Sequence, residues 1–328
     1  MEVKINLNIK KHLIGLTLIG LFLATAGVQL ASAPNEEITV SENLGAITVQ
    51  TDFITIKIVP DQAHIMWWHG NKSDADEMYK VQLVKIQEFS GDDSVLDEKT
   101  ELAGIAYNLI TLTWANTIVV EEDQVTITLS ADIPNGADIQ LIMHVYNDDT
   151  PVPGTEEIVE GLTELKFDII VNNWSFGSMA KGYAIQTYCT EVQHRHRVRV
   201  ENGTAFQNGT INRIQYESEA YSVPVAYLDW ALSADIFNAT DDYVMSIPVG
   251  QAFFDDLINP PTEAPGFTEG LAHLFLTYEN YEDDRKMVHD PTIGINVEAF
   301  TAPLFVWPIV AGLFAVAGVT LIVIRRKK

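Results

Sequence analysis

Leu304–Ile324 is a run of 21 residues without a charge, and Arg325, Arg326, Lys327 and Lys328 follow at once. At about 1.5 Å per residue a helix over this run spans roughly 31 Å, matching a hydrocarbon core of about 30 Å. Trp307 stands near the outer end, where an indole favours the headgroup interface, and Pro308 falls in the first turn, where its missing N–H is tolerated. The four cations predict a cytoplasmic C-terminus. The expectation is a transmembrane helix over 303–324 and a basic tail at 325–328.

The N-terminus carries a second apolar stretch. Lys4, Lys10 and Lys11 precede Leu13–Leu30, and small residues follow. Basic head, apolar core and small-residue exit are the three parts of a secretory signal. Residues 1–33 therefore read as a signal peptide, cleaved after Ala26 or after Ala33. Pro34 would follow the later cut, which disfavours it. Between the two ends, 34–302 is expected outside the cell. The protein is then a single-pass membrane protein that contacts lipid through Leu304–Ile324.

The middle is strongly acidic. The chain holds 20 basic and 45 acidic residues; setting aside the seven basic residues and Glu2 at the two ends leaves 13 and 44, a net charge of −31. Such a surface repels nucleic acid phosphates and anionic lipid heads and attracts cations and basic partners. No nucleic acid partner is expected. Cys189 is the only cysteine, so no disulfide can form within the chain. Its place in an alternating apolar run predicts a buried, inert thiol.

Hydropathy in the middle follows a period of two. Phe53–Val59, His64–His69, Tyr79–Phe89, Val125–Ser130, Asp138–Tyr146, Leu165–Val171, Tyr183–Val200, Ile211–Tyr216, Val223–Leu232, Tyr243–Val249, Leu271–Tyr278 and Ile293–Val297 are rich in Val, Ile, Thr and Tyr, as a pleated half-buried surface prefers. Pro60-Asp61-Gln62 and Pro134-Asn135-Gly136 supply turn chemistry. Leu102–Asn108 and Gln251–Ile258 suggest short helices. The fold class expected is all-β: an antiparallel β-sandwich, as one large supersandwich or two sandwiches divided near 150–160, plus the C-terminal transmembrane helix.

Five Asn-x-Ser/Thr sequons begin at Asn71, Asn173, Asn202, Asn208 and Asn238. Asn202 and Asn208 precede Gly-Thr and read as exposed turn tips, whereas Asn173 sits beside Trp174 in an apolar context. These are candidate glycosylation sites. Acidic pairs flank several turns. Asp92, Asp93 and Asp97, with Asp241 elsewhere, are candidate Ca²⁺ ligands, because Ca²⁺ takes six to eight oxygens. The competing reading is solvated loops in an acidic chain. No other cofactor is expected.

His194, His196 and Glu201 form a His-x-His-x4-Glu spacing that resembles the first metal motif of the cupins. Tyr188 stands where that motif has glycine, and Gly270-Leu-Ala-His273 reproduces only part of the second motif. Arg195, Arg197 and Arg199 alternate with these histidines and are expected to pair with the protein's own carboxylates. Trp67 and Trp68 are adjacent in a strand and point to opposite faces, so one belongs to the core and the other is a candidate for ligand stacking. Gly-x-Ser-x-Gly, His-Glu-x-x-His, P-loop and dinucleotide glycine patterns are absent.

Three stretches resemble a loose group of archaeal membrane-anchored cell-surface proteins: Ile65-Met66-Trp67-Trp68 with Tyr79–Phe89; Lys166–Asn173 leading into Trp174-Ser175-Phe176; and Phe275–Tyr281 leading to His289-Asp290-Pro291-Thr292-Ile293-Gly294. The resemblance implies the topology and an archaeal source, and it carries no functional residues. The expectation for function is a non-enzymatic surface protein with a structural, adhesion or recognition role, in contact with other envelope proteins or glycans. A Ca²⁺- or carbohydrate-binding module is the alternative, and an extracellular hydrolase a third.

Overall fold

The computed structural model describes residues 38–70, 78–91, 93–151, 158–191, 197–206, 209–217, 223–254, 268–269 and 271–301. These described residues form one compact unit. Leu304–Ile324 and residues 1–33 lie outside the described residues, and among those described no helix is long and apolar enough to cross a membrane.

One ladder starts at the N-terminal side. β1 (Thr39–Asn43), β2 (Ala46–Gln50), β3 (Ile54–Val59), β4 (His64–His69) and β5 (Tyr79–Phe89) pair in succession, all antiparallel. β6 (Leu102–Asn108) pairs with the second half of β5. On its other edge β5 takes β13 (Gly182–Glu191), followed by β20 (Leu271–Glu279) and the second half of β18 (Tyr243–Phe253).

The second ladder runs β7 (Ala115–Val120), β8 (Gln124–Asp132), β9 (Asp138–Tyr146), β12 (Glu164–Asn172). β12 then pairs with both β21 (Lys286–His289) and β22 (Pro291–Ile295), which Asp290 separates. Beyond β22 come β16 (Ala226–Ala231), β15 (Gly209–Glu217), β14 (Arg197–Phe206) and β19 (Thr268–Glu269). Beyond β21 come β17 (Ser233–Phe237) and the first half of β18. Because β18 pairs in both ladders, twenty strands of the described residues make one continuous antiparallel sheet. β10 (Thr150–Pro151) and β11 (Ile158–Val159) pair with each other and return the chain to β12 beside β9.

The two ladders face each other across a shared core, as in a sandwich. β8 and β9 alternate buried and half-buried residues without a break, so Val125, Ile127 and Leu129 face inward beside Leu141, Met143 and Val145. From the opposite ladder, Trp67 donates from Nε1 to the Gly294 carbonyl at 3.0 Å. Its ring lies 5.7 Å from Tyr79 and 5.9 Å from Tyr216, within the range of favourable tilted and edge contacts. Cys189 is fully buried in this core, and burial pushes its thiol up.

The expected turns form. Gly136 takes φ +92° and donates to the Ile133 carbonyl at 3.0 Å, which closes the β8–β9 hairpin. Elsewhere the elements differ from expectation. Leu102–Asn108 is a strand, not a helix: Gly104 takes φ +97°, which a helix excludes, and the free half-edge of β5 offers backbone partners. Gln251–Phe253 closes β18 as strand, because its backbone pairs with β20; residues 255–258 lie outside the described residues. β22 ends at Ile295, and α1 (Val297–Thr301) follows. The Asn296 side chain accepts from the Glu298 amide at 3.1 Å and so caps that short helix.

Candidate ligand-binding groove

A groove of about 410 Å³ opens on the outward face of β5, β13 and β20. A β-bulge places its residues. Gln186 pairs with Lys85 and Thr187 with Leu83, so Val84 is an extra residue in β5. Before it, Tyr79, Val81 and Leu83 point to the core; after it, Ile86 does. One inserted residue exchanges the two faces of a strand. Lys85 and Gln87 therefore reach the outward face, and Phe89 joins a small outer apolar cluster with Leu96, Ala184, Ala252 and Phe275.

β13 contributes Ala184, Gln186 and Tyr188 to the same face, opposite Thr277, Phe275 and His273 of β20. Ala184 is the smallest of the lining residues and is itself buried. Tyr188 stacks on His273, with ring centres 4.5 Å apart and planes 24° from parallel. Phe254 packs against Phe275 at 5.3 Å. Two ring pairs thus stand beside the amides of Gln87 and Gln186. The Lys85 ammonium donates to Gln87 Oε1 at 2.6 Å, and Lys99, from the connection between β5 and β6, also lines the groove. Aromatic faces combined with a few fixed polar groups are the usual composition of a small-ligand site, and the volume is within the usual range.

A second concentration of polar groups lies on the outward face of the other ladder. Register aligns Lys166, Thr292, Asp229 and Arg213 across four strands. Arg213 makes a two-pronged ion pair with Asp229 and lies 4.4 Å over the Tyr227 ring. Tyr227 donates to Glu164, and burial pushes the Glu164 carboxyl up to about 8, so it is protonated at neutral pH. Lys166 pairs with Asp168 and lies 3.5 Å from Asp290. Burial and the Asp290 carboxylate push Asp168 up to about 6, against the pull of Lys166. These groups bond to one another, and an ionic ladder of this kind ties neighbouring strands together.

The residues singled out in the sequence are scattered. Trp67 and Trp68 are both buried, with Trp68 only 5% exposed. That corrects the stacking role expected of one of them, since neither ring has a free face to offer. Asp93 Oδ1 accepts from the Val95 amide at 2.9 Å, and the Asp97 amide donates to Glu101 at 2.8 Å, both in the loop between β5 and β6. Asp241 lies in the β17–β18 turn and accepts from the Lys286 ammonium at 2.5 Å. Asp92 lies outside the described residues, as do His194 and His196; Glu201 sits in β14 opposite Arg213. Among the described residues, no three His, Cys, Asp or Glu side chains are grouped to hold a metal ion.

Of the sequons, Asn71 and Asn208 lie outside the described residues. Asn202 falls at an irregularity within β14 between Glu201 and Thr204, not at a turn tip. Asn173 is exposed, in a left-handed conformation with φ +55° where β12 ends, and not buried as its apolar sequence context suggests. Asn238 organises the β17–β18 turn: its Oδ1 accepts from the amides of Thr240 and Asp242, each at 2.9 Å.

No sequence motif marks the groove. Its one sequence signal is the break in alternation within Tyr79–Phe89, where the apolar phase moves from Val81 and Leu83 to Ile86.

No family model matches the chain, and no curated protein matches it. Among solved structures, the crystal structure analysis of HI1317 aligns over 79% of this chain and 100% of that one, at 10% identity and a TM-score of 0.28. At that score nothing about fold or function passes from HI1317 to this chain, whose shown class is that of an all-β protein built on one large antiparallel sheet.

Proposed function

We propose that this protein is a membrane-anchored cell-surface recognition protein that binds saccharide without catalysis. The groove carries the reading. Sugar rings present apolar C–H faces that stack on aromatic rings, and hydroxyls that side-chain amides and ammonium groups satisfy. Tyr188, His273 and Phe254 supply the first, and Gln87, Gln186 and Lys85 the second.

The anchoring half of the proposal rests on the sequence. The uncharged Leu304–Ile324 run with its four following cations, and the signal-like residues 1–33, support an external position for 34–302. The acidic surface suits a protein that stays soluble at close quarters with the bilayer and repels nucleic acid. Envelope proteins and glycans are the expected neighbours.

A glycan array probed with the full-length chain in detergent tests the recognition half. Binding that Ala184→Trp abolishes by filling the groove supports it. No binding across the array, or binding that Ala184→Trp leaves intact, contradicts it.

A further inference from the structure

The short helix α1 is packed onto the body of the fold. The Asn296 amide just before it donates to the Val225 carbonyl at 3.0 Å. Ala299 is buried, and the Phe300 ring stacks on His69 with centres 3.9 Å apart and planes 5° from parallel. Between Thr301, where α1 ends, and the uncharged Leu304–Ile324 run stand only Ala302 and Pro303. Two residues reach about 7 Å when fully extended.

Strand register identifies the end of the fold that carries α1. Gly294, next to the last residue of β22, pairs with Glu164, the first residue of β12. The start of β12 lies beside the last residues of β9, and these lie beside the first residues of β8. The turns at 121–123 and 147–149 meet there: Asn147 donates from its amide to the Asp123 carbonyl at 2.9 Å and from Nδ2 to the Glu122 carbonyl at 2.8 Å. In the other ladder, Ile54 at the start of β3 pairs with His69, and Thr51 Oγ1 donates to the Leu162 carbonyl at 2.6 Å. The turns at 51–53, 121–123 and 147–149 therefore share one end with α1. β8 runs nine residues from that end to the Pro134-Asn135-Gly136 turn, roughly 30 Å at about 3.3 Å per residue. Asn172 pairs with Asp138 and with Lys286, and Lys286 pairs with Phe237, so the sequons at Asn173 and Asn238 lie at the far end. β5 also starts near α1, since Tyr79 pairs with Trp67, whose indole reaches Gly294. Gln87 of the groove stands about 20 Å farther along that strand.

We propose that the β-rich domain stands end-on on its own bilayer, held by the two-residue connection, with the turns at 51–53, 121–123 and 147–149 facing the headgroups and the groove opening sideways above them. The inference rests on the anchoring half of the reading above and adds which surface meets the membrane. Asp52, Glu121, Glu122, Asp123, Asp148 and Asp149 are exposed on these turns. Desolvating such carboxylates is costly, so this rim rests at the headgroup surface and stays out of the acyl layer. The groove then takes its saccharide from the surrounding envelope, because headgroups of the same leaflet lie below it.

The test is fluorescence quenching of the full-length chain in phosphatidylcholine vesicles that contain a lipid with a nitroxide on its headgroup, a quencher that acts near contact. Cys189 is fully buried and takes no dye. Asp52, Asp97, Asp123 and Asp132 are all exposed, and each accepts a cysteine without opening the core. A dye on Asp123→Cys or Asp52→Cys is expected to lose most of its fluorescence. A dye on Asp132→Cys, near the far turn, or on Asp97→Cys, between β5 and β6, is expected to keep it. About twelve Gly and Ser residues inserted after Ala302 span roughly 20 Å and should restore the fluorescence of Asp123→Cys. Equal quenching at all four positions, quenching at none in a chain that floats with the vesicles, or quenching that the insertion leaves unchanged overturns the end-on arrangement and leaves the anchor standing. A chain that does not float with the vesicles overturns both.

Discussion

The Trp67 indole nitrogen donates to the Gly294 carbonyl oxygen at 3.0 Å, joining β4 of one ladder to β22 of the other across the core. Trp67 is fully buried, so no water can replace the bond. Trp67→Phe keeps a ring but leaves that carbonyl without its indole donor, which costs about 1–3 kcal/mol, with a further term for the smaller volume. Urea unfolding of the variant is expected to show a lower midpoint at an unchanged slope. A midpoint equal to that of the unaltered protein would deny the contact between ladders.

Gly182 starts β13 where a side chain has no room. A Cβ there would stand 2.1 Å from the Tyr278 carbonyl oxygen and 2.8 Å from the Phe89 ring. Gly182→Ala must separate β13 from β20 locally, and about 1–3 kcal/mol of destabilisation is expected from such overpacking. The check is a melting temperature lowered by several degrees; an unchanged melting temperature would mean that β13 and β20 do not approach this closely at Gly182.

Stability should pass through a maximum at mildly acidic pH. The Glu164 carboxyl moves from an ordinary value of 4.5 up to about 8, chiefly by burial. Its folded value is raised, so its contribution is complete below 4.5 and declines as pH climbs toward 8, where the unfolded chain has ionised first. His289 is lowered from 6.5 to about 4 by burial, and His64 moves the same way to about 4 through burial and the nearby Lys80 and Lys57. Their contribution is complete above 6.5 and is lost as pH falls toward 4. Melting curves across this range should show decline on both sides. Glu164→Gln should flatten the alkaline side alone; an unchanged slope there would mean the carboxyl titrates normally.

Tyr188 is part-exposed and stacks on His273, so its ring can be removed without opening the core. Tyr188→Ala should weaken saccharide binding by about 0.5–1.5 kcal/mol, roughly two- to tenfold, with the melting temperature nearly unchanged. Tighter or equal binding would take the ring out of the site.

The parts legible in the sequence are those where one local rule governs. The β8–β9 hairpin alternates cleanly on both sides of Pro134-Asn135-Gly136, so its strands, register and inward face follow from period and turn chemistry. Leu102–Asn108 misleads because Leu, Ala and Ile suit a helix locally, whereas the available edge of β5 decides the outcome. Trp68 misleads because alternation predicts two faces for adjacent residues, while this structure buries the outer face at that place as well. The groove depends on a single bulge at Val84 and on pairing between strands some hundred residues apart, which no local pattern records.

The most direct test of the central claim is on which side of the membrane the β-rich domain and the C-terminal tail lie. Cys189 is fully buried and leaves a silent background for a membrane-impermeant maleimide. Asp123→Cys places a thiol on an exposed turn of the described fold, and Lys328→Cys places one in the basic tail. In intact cells making the full chain, Asp123→Cys should label and Lys328→Cys should label only after lysis. Labelling of Lys328→Cys from outside, or protection of Asp123→Cys until lysis, would contradict an external β-rich domain held by an apolar C-terminal helix.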